Sequence, residues 1–109
     1  TRSYLVFFDW DKSNLTDRAK GIIKDAAEQS KKVTHTKLDV SGNADTSGKA
    51  QYNQGLSMRR AQAVAAELVR LGVPKNEIAI TANGDTKLLV PTGPGVREPQ
   101  NRRVEIVIR

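Results

Sequence analysis

Apolar and polar positions follow two periods along the chain, and the switches between them mark out the elements. Tyr4-Leu-Val-Phe-Phe8 is a short β-branched and aromatic run bounded by Asp9-Trp-Asp-Lys-Ser. It predicts a strand buried on both faces. Asn14-Leu-Thr-Asp17 resembles a capping box, with Asp in place of the usual Glu. Leu15, Ala19, Ile22, Ile23, Ala26 and Ala27 then recur at helical spacing, predicting a helix from about Asn14 to about Ser30. Lys31 and Lys32 fall at its C-terminal end, where the helix dipole favours cations. Thr34, Thr36, Leu38 and Val40 alternate with His35, Lys37 and Asp39, a strand of period two that Ser41-Gly42 ends.

From about Ala50 the period returns to helical. Tyr52, Leu56, Ala63, Val64, Leu68 and Leu71 mark one face, and Gly72 and Pro74 stop it. The pattern favours one continuous helix through Gly55; a start at Ser57, with that serine as N-cap, is the alternative. Asn76 to Ala82 is a third strand, with Ile78 and Ile80 on one face, turned by Asn83-Gly84-Asp85. Lys87 to Gln100 holds three of the four prolines and reads as an irregular surface loop. Arg103 to Arg109 alternates Val104, Ile106 and Ile108 against Arg103, Glu105 and Arg109, a last strand with one partly wet face. The order is β-α-β-α-β-β. It predicts an α/β (α+β) two-layer sandwich: a mixed four-stranded sheet with right-handed crossovers and the helices on one face. No internal repeat, linker or low-complexity segment interrupts it.

Composition narrows the picture. A chain of 109 residues is one domain with one core, 1–109. No run approaches the roughly 20 apolar residues of a membrane span, and no signal segment opens the chain. It begins on Thr1 rather than Met, so the expectation is a piece of a longer protein whose signal or anchor lies upstream. The net charge is +6, but lysine and arginine are scattered among Asp and Glu, which reads as a solvated surface more readily than as a nucleic-acid face. There are no cysteines, which excludes disulfides, Cys-zinc sites and a Cys nucleophile.

The chemistry concentrates between the second strand and the helix after it. Asp45 lies in a loop of small residues, Gly42 to Gly48, that leaves room for a ligand. A turn aspartate bonding its own backbone is the plainer reading. Arg60 follows Leu56 by one helical turn and so projects inward, while Arg59 lies about 100° round the helix and faces water. Arg60 lies roughly 15 Å along the helix from its start, within reach of a loop that doubles back. A guanidinium on the core side needs a partner. Either Asp45 supplies it as a structural ion pair, or the two stay apart and admit a zwitterion. In the second case Arg60 takes a carboxylate in a two-pronged hydrogen bond and Asp45 takes an ammonium.

Gly42-Asn-Ala-Asp-Thr-Ser-Gly48 resembles the Gly-His-Thr-Asp-x-x-Gly loop of OmpA-like peptidoglycan-binding domains. Asn53-Gln-Gly-Leu-Ser-Met-Arg-Arg-Ala-Gln-Ala-Val64 is similar to that family's Asn-x-x-Leu-Ser-x-x-Arg-Ala-x-x-Val signature. Asn101 to Ile106 resembles its closing motif, and Phe7 to Leu15 its opening strand and helix start. The resemblance implies non-covalent binding of the diaminopimelate residue of peptidoglycan stem peptides, through Asp45 and Arg60, with contacts from Asp11, Asn53 and Arg102. It also implies a periplasmic domain attached to the outer membrane through upstream sequence, with no cofactor and no catalysis, and with homodimers possible. Asp11 stands where the family often has Asn; its carboxylate either adds to ammonium binding or caps the first helix. Asn43-Ala44 replaces His-Thr, and Val96-Arg-Glu-Pro99 replaces the usual Gly-Arg, so contacts there are open.

Other residues carry less. His35, the single histidine, has no clustered co-ligands for a metal. Ser57 has no nearby base to make it a nucleophile. Asp9 and Asp11 flank Trp10, and paired carboxylates can hydrolyse glycosides, though Trp10 could equally close one edge of the core. A peptidoglycan hydrolase and a basic nucleic-acid binder are thus the competing readings. The first predicts release of soluble fragments; the second predicts binding that falls steeply with salt.

Overall fold

A computed structural model describes residues 2–33 and 37–109. The elements in chain order are β1 (Arg2–Phe7), α1 (Asp17–Lys31), β2 (Leu38–Gly42), α2 (Ala50–Arg70), β3 (Ile78–Ala82) and β4 (Arg103–Ile108). Short 3-10 turns at Lys75–Glu77 and Pro99–Asn101 precede the last two strands. The order is the β-α-β-α-β-β that the sequence predicts. The predicted second strand falls partly on Thr34, His35 and Thr36, which lie outside the described residues.

The sheet is mixed, in the order β1-β4-β2-β3. β4 is antiparallel to β1 and to β2, and β2 is parallel to β3 across the α2 crossover. The last strand therefore sits inside the sheet and separates β1 from β2. One apolar cluster fills the space between sheet and helices: Val6 and Phe8, Leu38 and Val40, and Val104, Ile106 and Ile108 meet Ile23, Ala26, Ala61, Val64 and Leu68. Each large side chain buried there contributes roughly 1.5–3 kcal/mol. This single core puts both helices on one face.

Three local expectations are corrected. β1 is not buried on both faces: Val6 is in the core, but Phe7 is 42% exposed on the open side of the sheet. Among the described residues no helix covers that side, so the apolar run does not imply two buried faces. The N-cap of α1 is Thr16, whose hydroxyl accepts from the Ala19 N–H at 3.1 Å, so Asn14-Leu-Thr-Asp17 is not a capping box. Tyr52 does not face the core; it is exposed at the start of α2, where the buried face is polar and runs through Asn53, Ser57 and Arg60.

α2 is continuous through Gly55 and ends as expected. Gly72, at φ 98°, donates to Val69 and Val73 donates back to Leu68, a Schellman closure that a left-handed glycine permits. The Lys31 ammonium donates to the Leu71 carbonyl at 2.6 Å, so the end of α1 helps cap the end of α2.

Candidate functional site

The C-terminal end of β2 delivers the chain to the loop 43–48, and two contacts fix where that loop sits. Gly42 meets α2 so closely that a Cβ there would lie 1.9 Å from the Ser57 carbonyl oxygen. Asn43, fully buried, donates from its amide to Ser41 O and Arg103 O and accepts from the Asn83 amide. Asn43 and Ala44 are both buried and neither lines the pocket described below.

Asp45 follows and is only 3% exposed. Its Oδ1 accepts from the Ser47 amide at 3.1 Å and the Ser47 hydroxyl at 2.5 Å. Its Oδ2 accepts from Arg102 Nη1 at 3.1 Å and the Glu98 amide at 3.3 Å. These donors occupy about four lone-pair positions, the capacity of a carboxylate. Burial pushes the Asp45 pKa up, but the Ser47 hydroxyl, the Ser47 amide, Arg102 and the Glu98 amide together outweigh it and hold it below its ordinary value.

Arg60 has no exposed surface. Its Nε donates to Lys12 O at 2.9 Å, Nη1 to Asn43 O at 3.0 Å and Nη2 to Asp9 O at 3.2 Å. The guanidinium lies 5.4 Å from the centre of the Phe8 ring. Among the described residues it forms no ion pair, and the partner of Asp45 is Arg102 instead. Burial pulls the Arg60 pKa down to about 10, against the opposing pull of Asp45, so it stays charged at neutral pH. A guanidinium has five N–H groups. Three go to carbonyls, leaving one on each terminal nitrogen.

Asp45 and Arg60 line one small cavity of about 130 Å³ together with Trp10, Asp11, Ser47, Gly48, Tyr52, Asn53 and Leu56. Four of the five residues singled out from the sequence, Asp11, Asp45, Asn53 and Arg60, are thus brought together. The fifth, Arg102, reaches the site from outside: besides Asp45 it donates to Phe8 O at 3.1 Å, and it lines a neighbouring groove with Phe7, Ile22 and Pro99. Asn53 is buried and its amide holds the loop through Asp45 O, Gly48 O and Asp85 Oδ2. Asp11 adopts φ 55°, a left-handed conformation that Asn and Asp tolerate best among residues with side chains. That accounts for either residue at this position. Its carboxylate accepts from the Tyr52 hydroxyl and caps no helix.

Ser47 and Tyr52 join Trp10 in the cavity wall, and no sequence pattern marks those two as site residues. Trp10 is 42% exposed, so it does not close the core. Arg59 faces water, as expected, with its guanidinium 5.6 Å from the centre of the Tyr52 ring. Ser57 is buried inside α2, donates to Gln54 O and accepts from the Gly84 amide, so it does not start the helix as an N-cap. Among the described residues no three His, Asp or Glu side chains come together as a metal site, and no helix is long and apolar enough to cross a membrane. His35 lies outside the described residues.

The OmpA family model matches residues 7–102. The chain belongs to the OmpA family. Relatives of this OmpA-family chain include an outer membrane protein of Gluconacetobacter diazotrophicus, 53% identical over 98% of this chain and 30% of that protein. Another is a peptidoglycan-associated lipoprotein of Pseudomonas putida, 30% identical over 92% of this chain and 60% of that protein. The crystal structure of the peptidoglycan-associated lipoprotein from Burkholderia pseudomallei matches with a TM-score of 0.88 at 27% identity, over 97% of this chain and 90% of that one. The OmpA-family chain spans about a third of the length of the first of these relatives and about three-fifths of the second.

Proposed function

We propose that this domain binds peptidoglycan without forming a covalent bond, by taking up the free end of the diaminopimelate residue of a stem peptide. It would serve as the wall-facing part of a longer envelope protein, on the periplasmic side of the outer membrane. One observation carries the reading. A buried guanidinium whose hydrogen bonds among the described residues go to neutral carbonyls, and a buried carboxylate, line the same cavity without closing on each other. Their charges suit a ligand that bears both an ammonium and a carboxylate on one carbon, which is what the side-chain end of diaminopimelate offers.

In this reading the two remaining N–H groups of Arg60 take the ligand carboxylate in parallel. The ligand replaces water against a charge already desolvated by the fold, so the interaction is stronger than at an exposed arginine. Asp45 provides the negative side of the cavity. Since its lone pairs already hold protein donors, the incoming ammonium competes with Arg102 for Oδ2. Asp11 at the rim adds a second carboxylate, and Asn53 keeps the loop in place. The names of the relatives, two of them peptidoglycan-associated lipoproteins, support the polymer as ligand. The 130 Å³ cavity supports a small terminal group rather than a sugar ring. No covalent step is assigned: the domain holds the wall and does not cut it.

The test is co-sedimentation with purified, diaminopimelate-containing peptidoglycan. Wild type should pellet with the polymer. Asp45→Asn and Arg60→Lys, checked by circular dichroism for folding, should stay in the supernatant. Pelleting of both variants at wild-type level would remove the assignment. Soluble fragments appearing in the same incubation would replace it with hydrolysis.

A further inference from the structure

The ion pair and carbonyl contacts leave one side chain of the cavity unexplained. Trp10 is the single tryptophan of the chain, half-exposed at the rim. Its indole Nε1–H donates to Ser47 Oγ at 3.0 Å, and that hydroxyl donates to Asp45 Oδ1 at 2.5 Å. Residues 96–98 fasten the arrangement from the other side. Val96 N–H donates to Thr46 Oγ1, Glu98 N–H donates to Asp45 Oδ2, and the Arg97 guanidinium between them lies 3.5 Å from the centre of the Trp10 ring.

We propose that Trp10 is a positioning residue for this site: through Ser47 it orients the Asp45 carboxylate and keeps it ionised toward the cavity. The inference rests on the zwitterion reading given above. A serine hydroxyl has one proton and two lone pairs, whereas an indole N–H can only donate. Trp10 donation fills one lone-pair direction of the serine oxygen, which turns the hydroxyl proton away from the indole and toward Asp45 Oδ1, the acceptor it has here. A charge-assisted bond from that hydroxyl favours the ionised carboxylate. A phenyl ring at position 10 would fill similar space and leave the hydroxyl free to turn away. Arg97 over the indole face holds the ring in place by a cation–π contact.

Other charged groups surround Asp45. Arg102 precedes β4, Arg60 comes from α2, Asp11 from the loop after β1, Asp85 reaches in through Asn53, and Arg97 lies behind Trp10. Among the described residues none of these donates to Ser47 Oγ; Trp10 does. Its effect is therefore separable from theirs by substitution.

The experiment follows the Asp45 carboxyl carbon by NMR through an acid titration, and diaminopimelate affinity by calorimetry from pH 7 downward. Both are run on wild type, Trp10→Phe, Ser47→Ala, Ser47→Thr and the Phe/Ala double variant. Trp10→Phe should raise the Asp45 titration midpoint. It should also weaken binding about three- to tenfold, the worth of one hydrogen bond, with the loss growing at the acid end. Ser47→Ala should do the same, Ser47→Thr should restore the wild-type values, and the double variant should lose no more than Ser47→Ala alone. An unchanged midpoint in Trp10→Phe, or additive losses in the double variant, overturns the relay. A wild-type domain that binds no diaminopimelate overturns the zwitterion reading and the positioning role with it, whatever the titration shows.

Discussion

Arg60 donates to the carbonyls of Asp9, Lys12 and Asn43, and shortening the side chain leaves all three without that partner. Of these acceptors only the Asn43 carbonyl makes a fully buried bond, while those of Asp9 and Lys12 are part-buried and can be rehydrated, so Arg60→Ala should lower stability by roughly 1–3 kcal/mol in urea unfolding. Arg60→Lys keeps the charge but not the fork. It should fold and bind diaminopimelate about tenfold more weakly or worse, as calorimetry would show. Asp45 gives a pH signature. Its folded pKa lies below the ordinary value of about 3.9, so the stability it contributes is complete above that value and is lost as pH falls through the lower folded one. The urea midpoint of wild type should drop below about pH 4, and that of Asp45→Asn should drop less steeply over the same window. Identical slopes would mean Asp45 is not the group responsible. The inward direction of Arg60 is legible one turn after Leu56. The Arg102 contact to Asp45 is not, because it joins residues 57 apart in sequence through a loop of no periodicity.

At the scale of elements, cap and contact residues make separable predictions. Thr16 accepts the Ala19 N–H at the start of α1; it lines the neighbouring groove with Arg102 and does not line the cavity. Thr16→Ala should cost about 1 kcal/mol in thermal or urea unfolding and leave ligand affinity unchanged. Gly42→Ala is different in kind. The new Cβ would lie 1.9 Å from a backbone oxygen of α2, so helix and strand must separate. We expect loss of cooperative unfolding or a drop of several kcal/mol, with ligand binding lost too, since β2 and α2 carry the two halves of the site. Helices and strands show in the sequence because their periods are local. α2 was traceable through Gly55 since its apolar positions continue on both sides. α1 starts later than the Asn14 pattern predicts because Asn and Thr are both good caps, and here it is the Thr16 hydroxyl that takes the Ala19 N–H.

At the scale of the molecule, the insertion of β4 between β1 and β2 governs everything else. Val104, Ile106 and Ile108 lie in the centre of the core and come from the last residues of the chain. A chain ending at Arg102 should therefore lack cooperative unfolding altogether, rather than lose stability in proportion to its length. Circular dichroism against temperature would decide, and a sigmoidal transition in the shortened chain would contradict the topology. The same insertion brings residues 97–102 across the end of the sheet to meet the loop after β2. There Glu98 and Arg102 complete the surroundings of Asp45, and Arg97 covers Trp10.

The sequence by itself determined the element order, the sandwich class, the inward direction of Arg60 on α2 and the placing of an acid loop next to that helix along the chain. Each depends on spacing within one segment or on a motif of fixed length. Tertiary structure alone decided that Asp45 pairs with Arg102 rather than Arg60, that one face of β1 stays open, and that Trp10, Ser47 and Tyr52 join the cavity. Those outcomes depend on which strands become neighbours, and neighbours are chosen by the global burial of apolar surface, which leaves no periodic mark on the chain.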